Sequence, residues 1–175
     1  MAIEEPLRAF IALCPEEETR RKIYKVSKQI ECLQPNGKFR LTPANKLHMT
    51  LAFLGNISQE DRRKILLMLR TGSFPGSRFV LDRMGVFPKS GILWLGETDS
   101  SLSALAGQVR KELANIRIGY DKTPFRAHVT LARNWRLPAP VIKFKPIVWD
   151  YGAPCLVLSI PDGRGRRNYL RIKSE

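Results

Sequence analysis

The sequence predicts an α+β fold, and two observations predict it. Six stretches alternate apolar and polar residues with the period of a strand, and three others carry apolar residues three and four apart with the period of a helix. With 175 residues, 43% of them hydrophobic and 26% charged, the chain has the makeup of a folded globule and the length of one domain spanning 1–175.

The elements follow in order. LRAFIAL (7–13) alternates and reads as a strand. From about Pro15 to Leu33 the spacing of Ile23, Val26 and Ile30 predicts a helix, and Pro15-Glu16-Glu17-Glu18 supplies the proline and negative charge that suit its first turn. KLHMTLAFL (46–54) is a second strand. A helix then begins at Ser58, whose hydroxyl can cap it with Asp61 as the reciprocal partner, and continues through Ile65, Leu66 and Leu69. RFVLDRMGVF (78–87) and GILWLG (91–96) alternate again. A third helix starts near Asp99 or Ser100 and carries Leu102, Leu105, Val109 and Leu113. RAHVTLA (126–132) and CLVLSIP (155–161) complete the strands. Turn residues cluster at 71–77, 134–140 and 161–166. The order strand, helix, histidine strand, helix is loosely echoed in the second half, without sequence identity strong enough to establish a duplication.

Several classes are disfavoured at once. No apolar run approaches the roughly 18 residues of a membrane-spanning helix. The start, MAIEEPLRAFIAL, carries acids where a signal peptide carries bases, so a cytoplasmic protein is expected. Cys14, Cys32 and Cys155 form neither an even disulfide set nor a C-x-x-C pair, and are read as reduced, mostly buried thiols. The formal charge of +14 favours polyanionic partners, nucleic acid before an anionic membrane, over a merely solvated surface.

Both histidines of the chain sit in one repeated tetrapeptide, His48-Met49-Thr50-Leu51 and His128-Val129-Thr130-Leu131. On a strand, residues i and i+2 share a face, so each motif presents an imidazole beside a hydroxyl while its alternate residues point into the core. With 7 threonines and 21 leucines among 175 residues, x-Thr-Leu after both histidines is not a chance placement. Two imidazoles can serve as general acid and general base near neutral pH, titrating as a coupled pair with a bell-shaped rate profile. Two hydroxyls can hold the oxygens of a phosphate between them. No other centre competes: carboxylates that would complete a metal site are lacking near these strands, and a phosphate-binding glycine loop and a G-x-S-x-G elbow are absent.

These motifs resemble the 2H phosphoesterases, defined by two H-x-[ST]-x motifs about 80 residues apart; His48 and His128 are 80 residues apart. LRAFIALCPEE, NKLHMTLAFLGNIS, ILWLG, PFRAHVTLAR and SIPDGRGRRNYLRI extend the likeness to the bacterial RNA 2',3'-cyclic phosphodiesterase branch, historically called 2'-5' RNA ligase. The resemblance implies a bilobal fold, with two pseudo-symmetric lobes of mainly antiparallel sheet, helices outside and a central groove. It implies opening of an RNA-terminal 2',3'-cyclic phosphate to a 2'-phosphate, without metal or cofactor. His48 would be the proton donor, His128 the proton acceptor, and Thr50 and Thr130 would hold the phosphate, although the residues alone leave acid and base interchangeable. The implied partner is RNA ending in a cyclic phosphate, tRNA-derived ends included, with no membrane and a monomeric protein.

Further substrate contacts are expected from Arg126, on His128's own face, and from Phe53 and Tyr169 as stacking platforms, with Trp94 and Phe125 in the same class. Arg133, five positions after His128, falls on the opposite face under strict alternation. The SIPDGRGRRNY segment reads equally as a hairpin joining two terminal strands or as a substrate contact. Competing functions are reversible 2'-5' ligation, hydrolysis of a small cyclic nucleotide, and an RNA-binding module without catalysis. The paired motifs weigh against the last, because charge and aromatics alone would suffice for binding.

Overall fold

Alternation along the first strand already divides the molecule into two faces. Ala9, Ile11 and Leu13 enter the main core, whereas Phe10 and Ala12 join a smaller cluster with Cys155 and Val157 on the other side. The computed structural model describes residues 7–33, 37–99 and 101–172. Its elements are β1 (Leu7–Leu13), α1 (Glu17–Leu33), β2 (Arg40–Leu41), β3 (Met49–Ile57), α2 (Gln59–Thr71), β4 (Ser77–Leu81), β5 (Arg83–Phe87), β6 (Ile92–Gly96), α3 (Leu102–Asn115), β7 (His128–Arg133), β8 (Ile147–Tyr151), β9 (Cys155–Pro161) and β10 (Arg167–Ile172).

The eight-stranded sheet runs β10-β9-β1-β3-β7-β6-β5, with β2 on β7, and its pairings are antiparallel. Helices cover one face of it. Ile23, Val26 and Ile30 of α1, Ile65, Met68 and Leu69 of α2, and Leu105, Val109 and Leu113 of α3 bury there against Leu51, Leu93, Leu95, Val129, Leu156 and Leu158. The other face carries the histidines. The two lobes expected from the resemblance are the two halves of this sheet. Among the described residues β3 and β7 pair only at Met49–Val129.

The helix starts follow local chemistry. Ser58 and Asp61 form the expected reciprocal cap of α2, with Asp61 N–H donating to the Ser58 hydroxyl at 3.0 Å and Ser58 N–H to the Asp61 carboxylate at 3.1 Å. α3 begins at Leu102, later than expected; of the two expected starting residues, Ser100 lies outside the described residues. Its cap comes from Glu97, whose carboxylate accepts from Leu102 N–H at 3.1 Å and from the Ser101 hydroxyl at 2.6 Å. No helix of the described residues is long and apolar enough to cross a membrane.

Three expectations need correction. The run 78–87 is not one strand: β4 pairs with β8 in a separate two-stranded sheet, while β5 pairs with β6. The break is at Asp82, whose carboxylate accepts from Thr98 N–H and hydroxyl and so turns the chain from one sheet to the other. β8 itself was not anticipated; Trp149 is buried there against Phe79, with ring centroids 4.9 Å apart. Of the cysteines, Cys32 is exposed, whereas the Cys14 and Cys155 sulfurs approach to 3.4 Å as thiols. The terminal segment forms the hairpin reading. Asp162 accepts from the N–H groups of Arg164 and Arg166, and Gly163 and Gly165 take the positive φ that its turn requires.

Candidate active site

His48 directly precedes β3 and His128 opens β7. The antiparallel pair Met49–Val129 lies between them. Carried one step to either side, that register would set His48 opposite Thr130 and Thr50 opposite His128. Met49 and Val129 are fully buried, while all four polar residues are half-buried on the open face. Two imidazoles and two hydroxyls therefore stand on one face around a single residue pair, close enough for the charge of one histidine to act on the other.

Both rings are held alike. Nδ1 of His48 lies 2.7 Å from the Lys46 carbonyl oxygen, and Nδ1 of His128 lies 2.7 Å from that of Arg126. A carbonyl only accepts, so each Nδ1 carries the proton and each Nε2 is left for chemistry. Nε2 is a lone pair when the ring is neutral and a donor when it is protonated. Aromatic rings brace both imidazoles. Phe10 and Tyr169 pack on His48 at centroid distances of 4.7 and 5.4 Å, and Phe87 meets His128 edge-on at 5.0 Å.

Burial lowers the pKa of His48 to about 4, against the opposing pull of the Lys46 carbonyl, and the charges of Arg133, His128 and Arg171 push the same way. Burial and then Arg133 lower that of His128, again against a carbonyl hydrogen bond. Both rings are therefore neutral at pH 7 in the free protein. An anion bound between them would favour protonation, so any affinity for inorganic phosphate is expected to rise as pH falls from 7 towards 5. Folding stability falls over the same interval, because the unfolded chain takes up protons near 6.5 that the folded chain refuses until lower pH. Histidine chemical shifts followed against pH, with and without phosphate, test this. A free-protein His48 titrating above 6.5 would contradict it.

The remaining site residues fall as follows. Arg133 is on the open face, contrary to strict alternation. The β6–β7 register passes from Leu93–Ala132 to Trp94–Thr130, so Leu131 is an extra residue, Leu131 and Ala132 are both buried, and Arg133 returns to the histidine side. Its charge reaches both imidazoles. β3 has the same irregularity. Its pairing with β1 passes from Ile11–Ala52 to Ala12–Thr50, leaving Leu51 extra, and Phe53 occupies the position in the first half that Arg133 occupies in the second. Phe53 is 45% exposed and packs on Phe10 at 5.7 Å. Arg126 is exposed, with its guanidinium 5.9 Å from the centroid of Phe87.

Tyr169, half-buried, meets His48 edge-on. Trp94 lies beside Thr130 over Gly85, where an added Cβ would fall 2.2 Å from the indole. Phe125 packs on the core, with Arg110 5.9 Å from its centroid. Phe10, Phe87 and Arg171 were missed from sequence. Phe10 had a signal, being the one aromatic of LRAFIAL and out of phase with Leu7, Ile11 and Leu13. A cavity of about 290 Å³ opens next to Ala127, the residue before His128, and is lined by Arg83, Phe87, Trp94, Phe125 and Arg126 together with the acids Glu97 and Asp99. Among the described residues no three His, Cys, Asp or Glu side chains cluster as a metal site.

Comparison with known proteins adds an independent line. Residues 13–94 match the LigT like Phosphoesterase family. The chain is 30% identical over 174 residues to the RNA 2',3'-cyclic phosphodiesterase of Escherichia coli (strain K12), covering 98% of this chain and 97% of that one. The crystal structure of E. coli LigT in apo form superposes with a TM-score of 0.79 at 28% identity, over 97% of this chain and 96% of that one. E. coli LigT complexed with 3'-AMP gives 0.77 at 28% identity over 96% of each. Near-full-length likeness in sequence and fold, together with two H-x-T strands meeting at one residue pair, places the chain in the LigT-like phosphoesterases of the 2H family, among the RNA 2',3'-cyclic phosphodiesterases.

Proposed function

We propose that this protein opens the 2',3'-cyclic phosphate at an RNA end to a 2'-phosphate, using its two histidines as acid and base. The observation that carries the reading is the register at Met49–Val129, which brings both H-x-T motifs to one face around a single residue pair. Thr50 and Thr130 donate hydrogen bonds to the non-bridging oxygens there. His128 takes a proton from water as its oxygen bonds to phosphorus, the P–O3' bond breaks, and His48 gives its proton to the departing 3' oxygen. The products are a 2'-phosphate and a free 3' hydroxyl, and the histidines exchange protonation states.

The direction of proton flow follows the family likeness. The burial of His48, flanked by Arg133, His128 and Arg171, supports it, because the more acidic imidazolium is the better donor to a leaving alkoxide. The bound phosphate's negative charge loads that ring with its proton. The cavity next to Ala127 suits the flat face of a nucleobase against Phe87 and Trp94. The charge of +14 favours a polynucleotide over a small cyclic nucleotide, since each neutralised phosphate releases counterions.

The test is an EDTA-treated sample incubated with an oligoribonucleotide ending in a 2',3'-cyclic phosphate. Loss of the cyclic end to a 2'-monophosphate is expected, at a rate that falls as salt rises. An absolute requirement for added metal would overturn the metal-free mechanism, and tight RNA binding without turnover would favour the binding-module reading.

A further inference from the structure

We infer that Arg110, on α3, is a positioning residue that fixes the separation of the two catalytic strands; this rests on the function proposed above. Past Met49–Val129 the strands β3 and β7 part, and the chain of residues 120–125 runs along the edge of β3 that β7 leaves open. Asp121 N–H donates to the Phe53 carbonyl at 2.9 Å. This strap then leads through Arg126, whose carbonyl holds Nδ1 of His128.

Arg110 joins the strap to the first motif strand. Its Nε donates to the Leu51 carbonyl at 3.2 Å and its Nη1 to the Thr123 carbonyl at 2.9 Å. Leu51 is the extra residue of the β3 bulge, so its backbone lacks a place in the β1 ladder and takes a side-chain donor instead. The guanidinium is held between Tyr120 and Phe125, 5.8 and 5.9 Å from their centroids. Asp121 braces the strap from within, its carboxylate accepting from Thr123 N–H and hydroxyl. One planar cation thus binds the bulge that orients Thr50 and Phe53 to the strap that orients His128. Arginine suits this use because its donors diverge in a fixed plane, whereas lysine offers a single point of attachment.

Removing this tie widens the distribution of His128-to-Thr50 distances, and in-line displacement tolerates such looseness poorly. In the full-length protein, Arg110→Ala is expected to lower kcat on the cyclic-phosphate oligonucleotide about tenfold with KM within about threefold. The pH–rate limb belonging to His128 should shift, and the Asp121 amide should exchange faster. Arg110→Lys should recover part of the kcat, and it remains informative if the alanine variant does not fold. A folded Arg110→Ala protein with wild-type kcat and an unshifted His128 limb would overturn the assignment. Should the wild type show no turnover, the functional reading fails by itself. The tie is then judged by NMR, where unchanged His128 ring shifts and Asp121 exchange in Arg110→Ala would overturn it.

Discussion

His48→Asn and His128→Asn are each expected to lower kcat for opening a terminal cyclic phosphate by about 10²–10⁴-fold. Asparagine is the informative replacement. Its amide can still donate to the Lys46 or Arg126 carbonyl that now holds Nδ1, so the local backbone keeps its partner while the titrating Nε2 disappears. Alanine at position 48 would also empty the space between Phe10 and Tyr169 and confuse lost packing with lost chemistry. The two variants differ in pH dependence. Without the proton acceptor His128, the fall in rate at low pH disappears; without the donor His48, the fall at high pH disappears. Combining both changes should cost little more than either alone, because the two groups act in one concerted transfer. Wild-type kcat in either folded variant would end the two-histidine mechanism, and an exchange of the two limbs would reverse the roles.

The second large effect is expected at Arg133. Arg133→Ala should lower kcat by about 10²–10³-fold, as removal of a preorganised charge facing a developing phosphorane does. Its position is set by the Leu131 bulge, which brings the guanidinium round to the histidine face, and its field acts on both rings at once. That gives the variant a second signature. Both histidine pKa values should move up in the free protein, since a cation that held them down is gone. Arg133→Lys should keep the pKa values low yet recover only part of the rate, because a point charge does not reproduce paired contacts to two phosphate oxygens. Unchanged turnover together with unchanged histidine titration in Arg133→Ala would remove Arg133 from the site.

How far these residues could be read in advance depended on what governs each. His48, Thr50, His128 and Thr130 were legible because their spacing of two is the strand period itself. The first-strand alternation and the Ser58–Asp61 cap were legible for the same reason, each being set by neighbours in sequence. Arg133 was misplaced because a bulge shifts the phase of everything after it. The consecutive apolar residues Leu51-Ala52 and Leu131-Ala132 were the trace of that shift in both motifs. The break at Asp82 and the strand at 147–151 depend on partners far along the chain, Thr98 and the residues of β4, which local periodicity does not report. Phe10 and Phe87 act on histidines contributed by other strands, so their role waits on the sheet order.

If the proposed mechanism holds, the meeting of the two halves at Met49 and Val129 also makes catalysis a test of folding fidelity. A slip of one residue by either strand would turn that strand's imidazole and hydroxyl inward and bring its apolar neighbours to the open face. On the proposed two-histidine mechanism, a molecule of the wrong parity would keep only one motif at the site, and one of the right parity its whole reactive set. Turnover per molecule therefore counts correctly aligned chains, and refolded samples should divide into working and silent fractions with no attenuated population between them.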